Sequence, residues 1–207
     1  MLNLRRVAQP LYEPISVDEA LMHARIDNDV ERGYVSGLIR AAREYVEEVS
    51  WRTLMGTEWE YALDAWPGER VLNLPRSPLR SITQVDYVDA DGNALVLAAG
   101  NYVVDTISEP GRLGLKRDGA WPSVTLQAYA GVRFQYVAGY SDVLTSNSTP
   151  EQLAAARAAV PAPFIHAIKL LVGHFYENRE EMVSGAIPTR LQFGVDALLS
   201  PLRAVMF

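Results

Sequence analysis

His23, His166 and His174 are the only histidines in this 207-residue chain, and proton or metal chemistry near neutral pH would have to start from them. His166 and His174 lie eight residues apart, about two helical turns, and Glu177 follows His174 at i,i+3, a spacing that can place two ligands on one metal. No third ligand is recognisable beside them. The plainer reading is a helix histidine next to a helix-end charge, with a small metal-dependent hydrolase on His166, His174 and Glu177 as the enzyme alternative. Asp89-Ala-Asp91-Gly92-Asn93 has the acidic spacing of a calcium loop's opening. It lacks that loop's glycine at position six and glutamate at position twelve, so it reads as a hairpin turn. Gly111-Arg-Leu-Gly114 is too short to cradle a phosphate, and no Gly-x-Ser-x-Gly, Walker or GxGxxG element is present. With no cysteine, disulfides, thiolate metal sites and cysteine nucleophiles are excluded. Trp59, Tyr61, Trp66 and Trp121 could line the groove of a ligand-binding module, but packing in a core is their commoner use. The residues therefore point to no catalytic site, no metal and no cofactor.

The elements that would position such groups fall into three zones. Ser16 followed by Glu19 is a capping box and predicts a short helix to about Arg25. Asp27, Asn28 and Asp29 offer a second cap for a helix to about Val49. Its apolar stripe runs over Tyr34, Leu38, Ala42, Tyr45 and Val49, with Val35, Ile39 and Val46 beside it. Arg40, Arg43, Glu44, Glu47 and Glu48 fall on the opposite face. Gly33 and Gly37 either admit another element closely or mark an imperfect first turn.

From about 57 to 138 the period changes to two. Trp59, Tyr61 and Leu63 alternate with charged residues, as do Val132, Phe134 and Tyr136 with polar ones. Shorter runs at Val71–Leu74, Ile82–Val88, Ala94–Leu97 and Tyr102–Val104 lie between them, and Asp91-Gly92 marks a hairpin. Thr149-Pro150-Glu151-Gln152 restarts helix, and Pro161 and Pro163 open the strongest one, Phe164 to about Met182. The expected fold is α+β, with helices in 1–55 and 149–190, a β-rich insertion over 56–140 and an apolar tail over 191–207.

The net charge of −6 and pI near 5.1 lack the basic footprint of a sequence-specific DNA binder. No apolar run approaches the roughly 20 residues that span a bilayer, and Met1–Pro10 does not read as an export signal, so a soluble protein with no membrane partner is expected.

Four stretches carry a resemblance. Leu38-Ile-Arg-Ala-Ala-Arg-Glu-Tyr-Val-Glu-Glu48 resembles the first long helix of the phage head–tail connector (adaptor) family. Tyr136-Val-Ala-Gly-Tyr-Ser-Asp142, and later Val160-Pro-Ala-Pro-Phe-Ile-His-Ala-Ile-Lys-Leu-Leu-Val-Gly-His-Phe-Tyr-Glu-Asn-Arg-Glu180, resemble its closing strand and main C-terminal helix. Phe193-Gly-Val-Asp-Ala-Leu-Leu-Ser-Pro-Leu-Arg203 is similar to its usual ending. The spacer Val143 to Ala159 departs from the pattern by its length. The resemblance implies a homo-oligomeric ring, typically of twelve copies, at the head–tail junction of a phage or gene transfer agent virion, its subunits made in the bacterial cytoplasm. Its partners would be the portal protein and the next neck or tail protein, with DNA passing through without sequence-specific binding. A stopper or tail-completion protein is the neighbouring alternative. Within that reading, Arg40, Arg43, Glu44, Glu47, Arg179 and Glu180 are candidate subunit-interface residues. Phe193, Leu198, Leu199, Leu202, Arg203 and Phe207 are candidates for docking on the portal, because an apolar tail left exposed would aggregate.

Overall fold

A computed structural model describes residues 3–179 and 189–204 of an α+β chain. It divides into two compact units, each discontinuous in sequence. The described residues of 11–55 and 144–203 form a helical unit, and residues 3–10 with 56–143 form a β unit.

In the helical unit, α1 (Val17–Ala24) opens on the expected capping box: Ser16 Oγ accepts from the Glu19 N–H at 3.1 Å, and the Glu19 carboxylate accepts from the Ser16 N–H at 2.9 Å. The helix α2 (Arg32–Ser50) begins later than the Asp27–Asp29 cap implies, after a 3-10 turn over Asp29–Glu31 held by a Val30 N–H bond to Asn28 Oδ1. Its buried face holds Val35, Leu38, Ile39, Ala42 and Val46, and extends to Arg43 and Glu47, whereas Tyr34 is exposed. The stripe is thus turned about the axis from the one that apolar side chains alone mark out. Added Cβ atoms at Gly33 and Gly37 would meet nothing within 4 Å, so neither glycine serves a close approach.

A second capping box, Thr149 with Gln152, starts α3 (Pro150–Ala159). The most apolar helix, α4 (Ala162–Glu177), buries Phe164, Ala167, Ile168, Leu171 and Val172, and α1, α2 and α5 (Thr189–Leu199) all pack on it. It closes at Asn178, whose N–H bonds the His174 carbonyl at 3.0 Å, before the expected end at Met182, which lies outside the described residues.

The β unit contains β1 (Asn3–Arg6), β2 (Thr57–Leu63), β3 (Val71–Asn73), β4 (Leu79–Val88), β5 (Ala94–Val96), β6 (Tyr102–Asp105), β7 (Arg112–Leu115) and β8 (Val132–Ala138). All pairings are antiparallel, in a five-stranded sheet β1-β2-β8-β4-β5 and a three-stranded sheet β3-β7-β6. The last strand, β8, lies at the centre of the larger sheet and alternates buried Val132, Phe134, Tyr136 and Ala138 with partly exposed residues. These pack with Trp59, Val85 and Leu113 into one core. The Asp91-Gly92 hairpin joins β4 to β5, and Gly92 adopts the positive φ, +86°, that the turn needs. Residues 3–10 belong here and not with the helices, because β1 pairs along β2 from Asn3↔Ala62 to Arg6↔Trp59.

At Gly56 the backbone runs so close to Asp142 that a Cβ would collide with the Asp142 carbonyl, and neither group can swing away as a side-chain end could. Gly56→Ala is expected to cost about 1–3 kcal/mol, whereas Gly37→Ala, in open space within α2, should add up to about 1 kcal/mol. Chemical denaturation of both variants checks the pair, and equal effects would contradict the packing described.

Candidate assembly surfaces

The residues expected to meet other subunits separate into those the helical unit uses internally and those it leaves on its surface. Arg43 is fully buried and Glu47 is 1% exposed. Arg43 Nη1 donates to Glu47 Oε2 at 2.7 Å and Nε donates to Glu13 Oε2 at 2.7 Å. The second oxygen of Glu47 accepts from the Leu54 N–H at 2.8 Å, and Arg157 Nε donates to the Glu13 carbonyl at 3.0 Å. Burial alone would push the Arg43 guanidinium down; the carboxylates of Glu47 and Glu13 outweigh it and hold the group above its ordinary value. Arg43 and Glu47 are therefore corrected from surface contacts to an internal ion pair. A guanidinium removed from water must be matched by carboxylates, leaving no side-chain area for a neighbour. Glu13 escaped the sequence reading because it sits in an aperiodic segment before Pro14; only its partner's position reveals it.

The expected tail divides in the same way. Val195 and Leu199 on α5 are buried within the helical unit, so Leu199 is corrected from a docking contact to a core residue. Leu198 and Leu202 are partly buried, and the exposed Arg203 donates to Asp196 Oδ1 at 2.8 Å. Arg52 Nε also donates to the Leu202 carbonyl, tying the turn after α5 to the segment after α2. Glu180 and Phe207 lie outside the described residues, as does the Phe193 side chain.

On the surface, Arg40 and Glu44 form an exposed pair at 3.0 Å. Arg179 donates to Glu31 Oε1 at 2.8 Å while its guanidinium lies over the Tyr34 and Tyr176 rings, 4.7 and 4.8 Å from their centroids. The Tyr176 hydroxyl donates to the other Glu31 oxygen, and these two donors hold the Glu31 carboxyl below its usual range. Arg40, Glu44 and Arg179 remain accessible and fixed in direction by these partners.

The groups considered for chemistry are committed elsewhere. His166 lies against His23, ring centroids 6.4 Å apart and edge-on, while His174 Nδ1 is 2.9 Å from the Asn178 amide. Partial burial, with Lys169 and His166 nearby, lowers His23 from its ordinary value. Among the described residues, no three His, Asp or Glu side chains converge as a metal site would require. Asp89 accepts from the Asn93 amide and from the Asp91 and Asn93 N–H groups, which lowers its carboxyl and uses it to build the hairpin turn. Trp66 and Trp121 stack at 5.1 Å, with Tyr87 edge-on to Trp66 at 5.3 Å, and all three pack against the β core.

Two substitutions distinguish internal roles from surface ones. Arg43→Leu strands two carboxylates against apolar surroundings and should cost about 3–5 kcal/mol. Arg40→Leu, which removes an exposed pair, should stay within about 1 kcal/mol. Leu199→Ala should lower stability by about 2–5 kcal/mol. Denaturant midpoints of the three purified variants decide it, and a Leu199→Ala protein as stable as its parent would restore the free-tail reading.

No family model matches the chain, and no curated protein matches it. Among solved structures, it is similar to a protein in the neck of an empty gene transfer agent particle computed with six-fold symmetry, with a TM-score of 0.76 and 24% identity over 99% of this chain and 96% of that one. It is similar to a protein in the virion of a native gene transfer agent particle, with a TM-score of 0.76 and 24% identity over 99% and 97%. A protein in the neck of a native particle computed with twelve-fold symmetry gives 0.71 and 23%, over 100% and 97%. At this identity the likeness is one of fold, and it runs nearly the full length of both chains.

Proposed function

We propose that this chain is a structural, non-enzymatic subunit of the neck of a phage or phage-like particle, acting as the head–tail connector (adaptor). The observation that carries the reading is the full-length fold likeness to proteins of gene transfer agent necks and of a gene transfer agent virion, reached independently of the sequence stretches that resemble the connector family. Copies form a ring, dodecameric in this reading, that docks under the portal, receives the next neck or tail protein and extends the DNA channel. The protein is made in the bacterial cytoplasm and ends in the virion.

A closed ring needs two different complementary surfaces on each subunit. In the helical unit, Arg40, Glu44 and Arg179 supply directional charge for such contacts, and Leu198, Leu202 and Arg203 are the described tail residues left to face the portal. The net charge of −6 suits a channel through which DNA must slide, since clustered cations would hold its phosphates. The His, Asp and aromatic groups that could have served an enzyme are engaged in helix ends, turns and core.

Electron microscopy of the protein mixed with the portal protein encoded beside it tests the role. The expected image is a ring stacked coaxially on the portal. Failure to bind, with both proteins folded, would overturn the adaptor position and move the chain to a stopper or tail-completion place in the neck.

A further inference from the structure

The five-stranded sheet is open, and its two edges differ in charge. Among the described residues, no strand pairs with the outer side of β5 or of β1. Every residue of β5 is exposed, with Leu95 at 38% and Val96 at 59%. Native edges are usually blunted by lysine, proline, a bulge or an inward-pointing charge; Ala94-Leu95-Val96 carries none of these residues. The backbone there is also set up to pair. Asn93 accepts from the Asp89 N–H and Leu97 donates to the Val85 carbonyl, so both turn their polar groups toward β4. By the alternation of an antiparallel ladder, the N–H and C=O groups of Ala94 and Val96 then point outward.

Charge selects what can pair there. The paired part of the β4–β5 hairpin that carries this edge, Asp86 to Val96, contains Asp86, Asp89 and Asp91, and no lysine or arginine. Two β5 edges brought together would oppose their own carboxylates, which disfavours a two-fold contact. The opposite edge is basic: β1 carries Arg5 and Arg6, and the Arg5 side chain is 68% exposed in a surface pair with Glu60 that solvent screens. Unlike, complementary edges on one sheet are what a head-to-tail ring contact requires.

We propose that β5 of one copy pairs with β1 of the next, so that the five-stranded sheet continues from subunit to subunit. The inference rests on the ring reading above and assigns its β-unit contact. Backbone hydrogen bonds along the two edges supply the pairing, and the acidic hairpin against Arg5 sets its direction.

The chain has no cysteine, which makes a crosslinking test clean. Asn3→Cys and Ala94→Cys place one thiol on each exposed edge. Within one subunit the edges are separated by four strand spacings, roughly 19 Å, beyond a short bis-maleimide. Rings of the double variant assembled on the portal are first verified by electron microscopy, then crosslinked and run on a denaturing gel. A ladder extending past the dimer is expected, with each single variant stopping at dimers. Adding Val96→Pro removes one outward N–H, spares the β4 ladder and should reduce the ladder at least tenfold. Rings without a ladder would overturn the β5–β1 contact and leave the ring reading standing. Absence of rings in the parent protein as well would overturn both.

Discussion

The helical unit depends on one buried ion pair. Arg43 and Glu47 occupy adjacent turns of α2 on its core side, among Val35, Ile39 and Val46, where an unmatched charge would be severely destabilising. Their matching organises the neighbouring chain. Glu13 closes the other side of the guanidinium and so fixes the segment before α1. Glu47 uses its second oxygen on the Leu54 N–H and so fixes the turn after α2. Arg157 of α3 bonds the Glu13 carbonyl. Apolar contacts on α4 supply most of the cohesion, yet they are non-directional and would tolerate several arrangements of the same helices. The hydrogen-bonded charges have one geometry, so they select among those arrangements.

The β unit reaches a comparable definition by topology. Its central strand is the last to appear in the chain, so the sheet cannot be completed until β8 inserts between β2 and β4. Tyr136 on β8 then donates its hydroxyl to the Pro75 carbonyl at 2.7 Å from within the core, and burial pushes that phenol far up. Trp59, opposite Tyr136 on β2, has the guanidiniums of Arg6 and Arg76 over its ring, 4.8 and 5.2 Å from the centroid. The opposite face of the sheet stays polar, with Gln135 donating to Asp86 and Arg5 to Glu60 across neighbouring strands. One face is sealed and the other solvated, which is why period-two alternation in β8 reads so clearly.

What could be read from the sequence was what local chemistry decides. Both capping boxes, the Asp-Gly hairpin and the alternation of β8 are specified within a few residues of themselves and appear where expected, whereas the alternation of β2 holds only to Glu60, after which Ala62 is buried and Tyr61 and Leu63 are half-buried. β1 and β7 escaped because Asn-Leu-Arg-Arg and Arg-Leu-Gly-Leu are too short, and too charged or glycine-broken, to show a period; they become strands through their partners β2 and β7's neighbours β3 and β6. The Arg43–Glu47 pair was misplaced for a related reason. An i,i+4 Arg–Glu spacing looks the same on a solvated face as in a core, and only Glu13, thirty residues away, tells the two apart. The tail illustrates the converse: an apolar segment announces that it will be covered without saying by what. Val195 and Leu199 find their cover inside the helical unit.

Arginine use bears on the proposed role as well. The chain has 19 cationic Lys and Arg residues, and Lys116 and Lys169 are its only lysines. Arginine's planar fork can satisfy a carboxylate and a carbonyl in fixed directions, where an ammonium would act as a point charge. That property is used throughout the described residues: Arg43 inside the helical unit, Arg112 on Asp105 and Ser108, Arg80 on Asp142, Arg70 on two backbone carbonyls, Arg179 on Glu31 between two tyrosines. Cations held this way stiffen loops and surfaces instead of offering mobile charge to polyanions. In the proposed role, which asks a subunit to grip its neighbours and let DNA pass, this distribution separates the two demands: directional charge is invested in protein geometry, and the net charge stays negative.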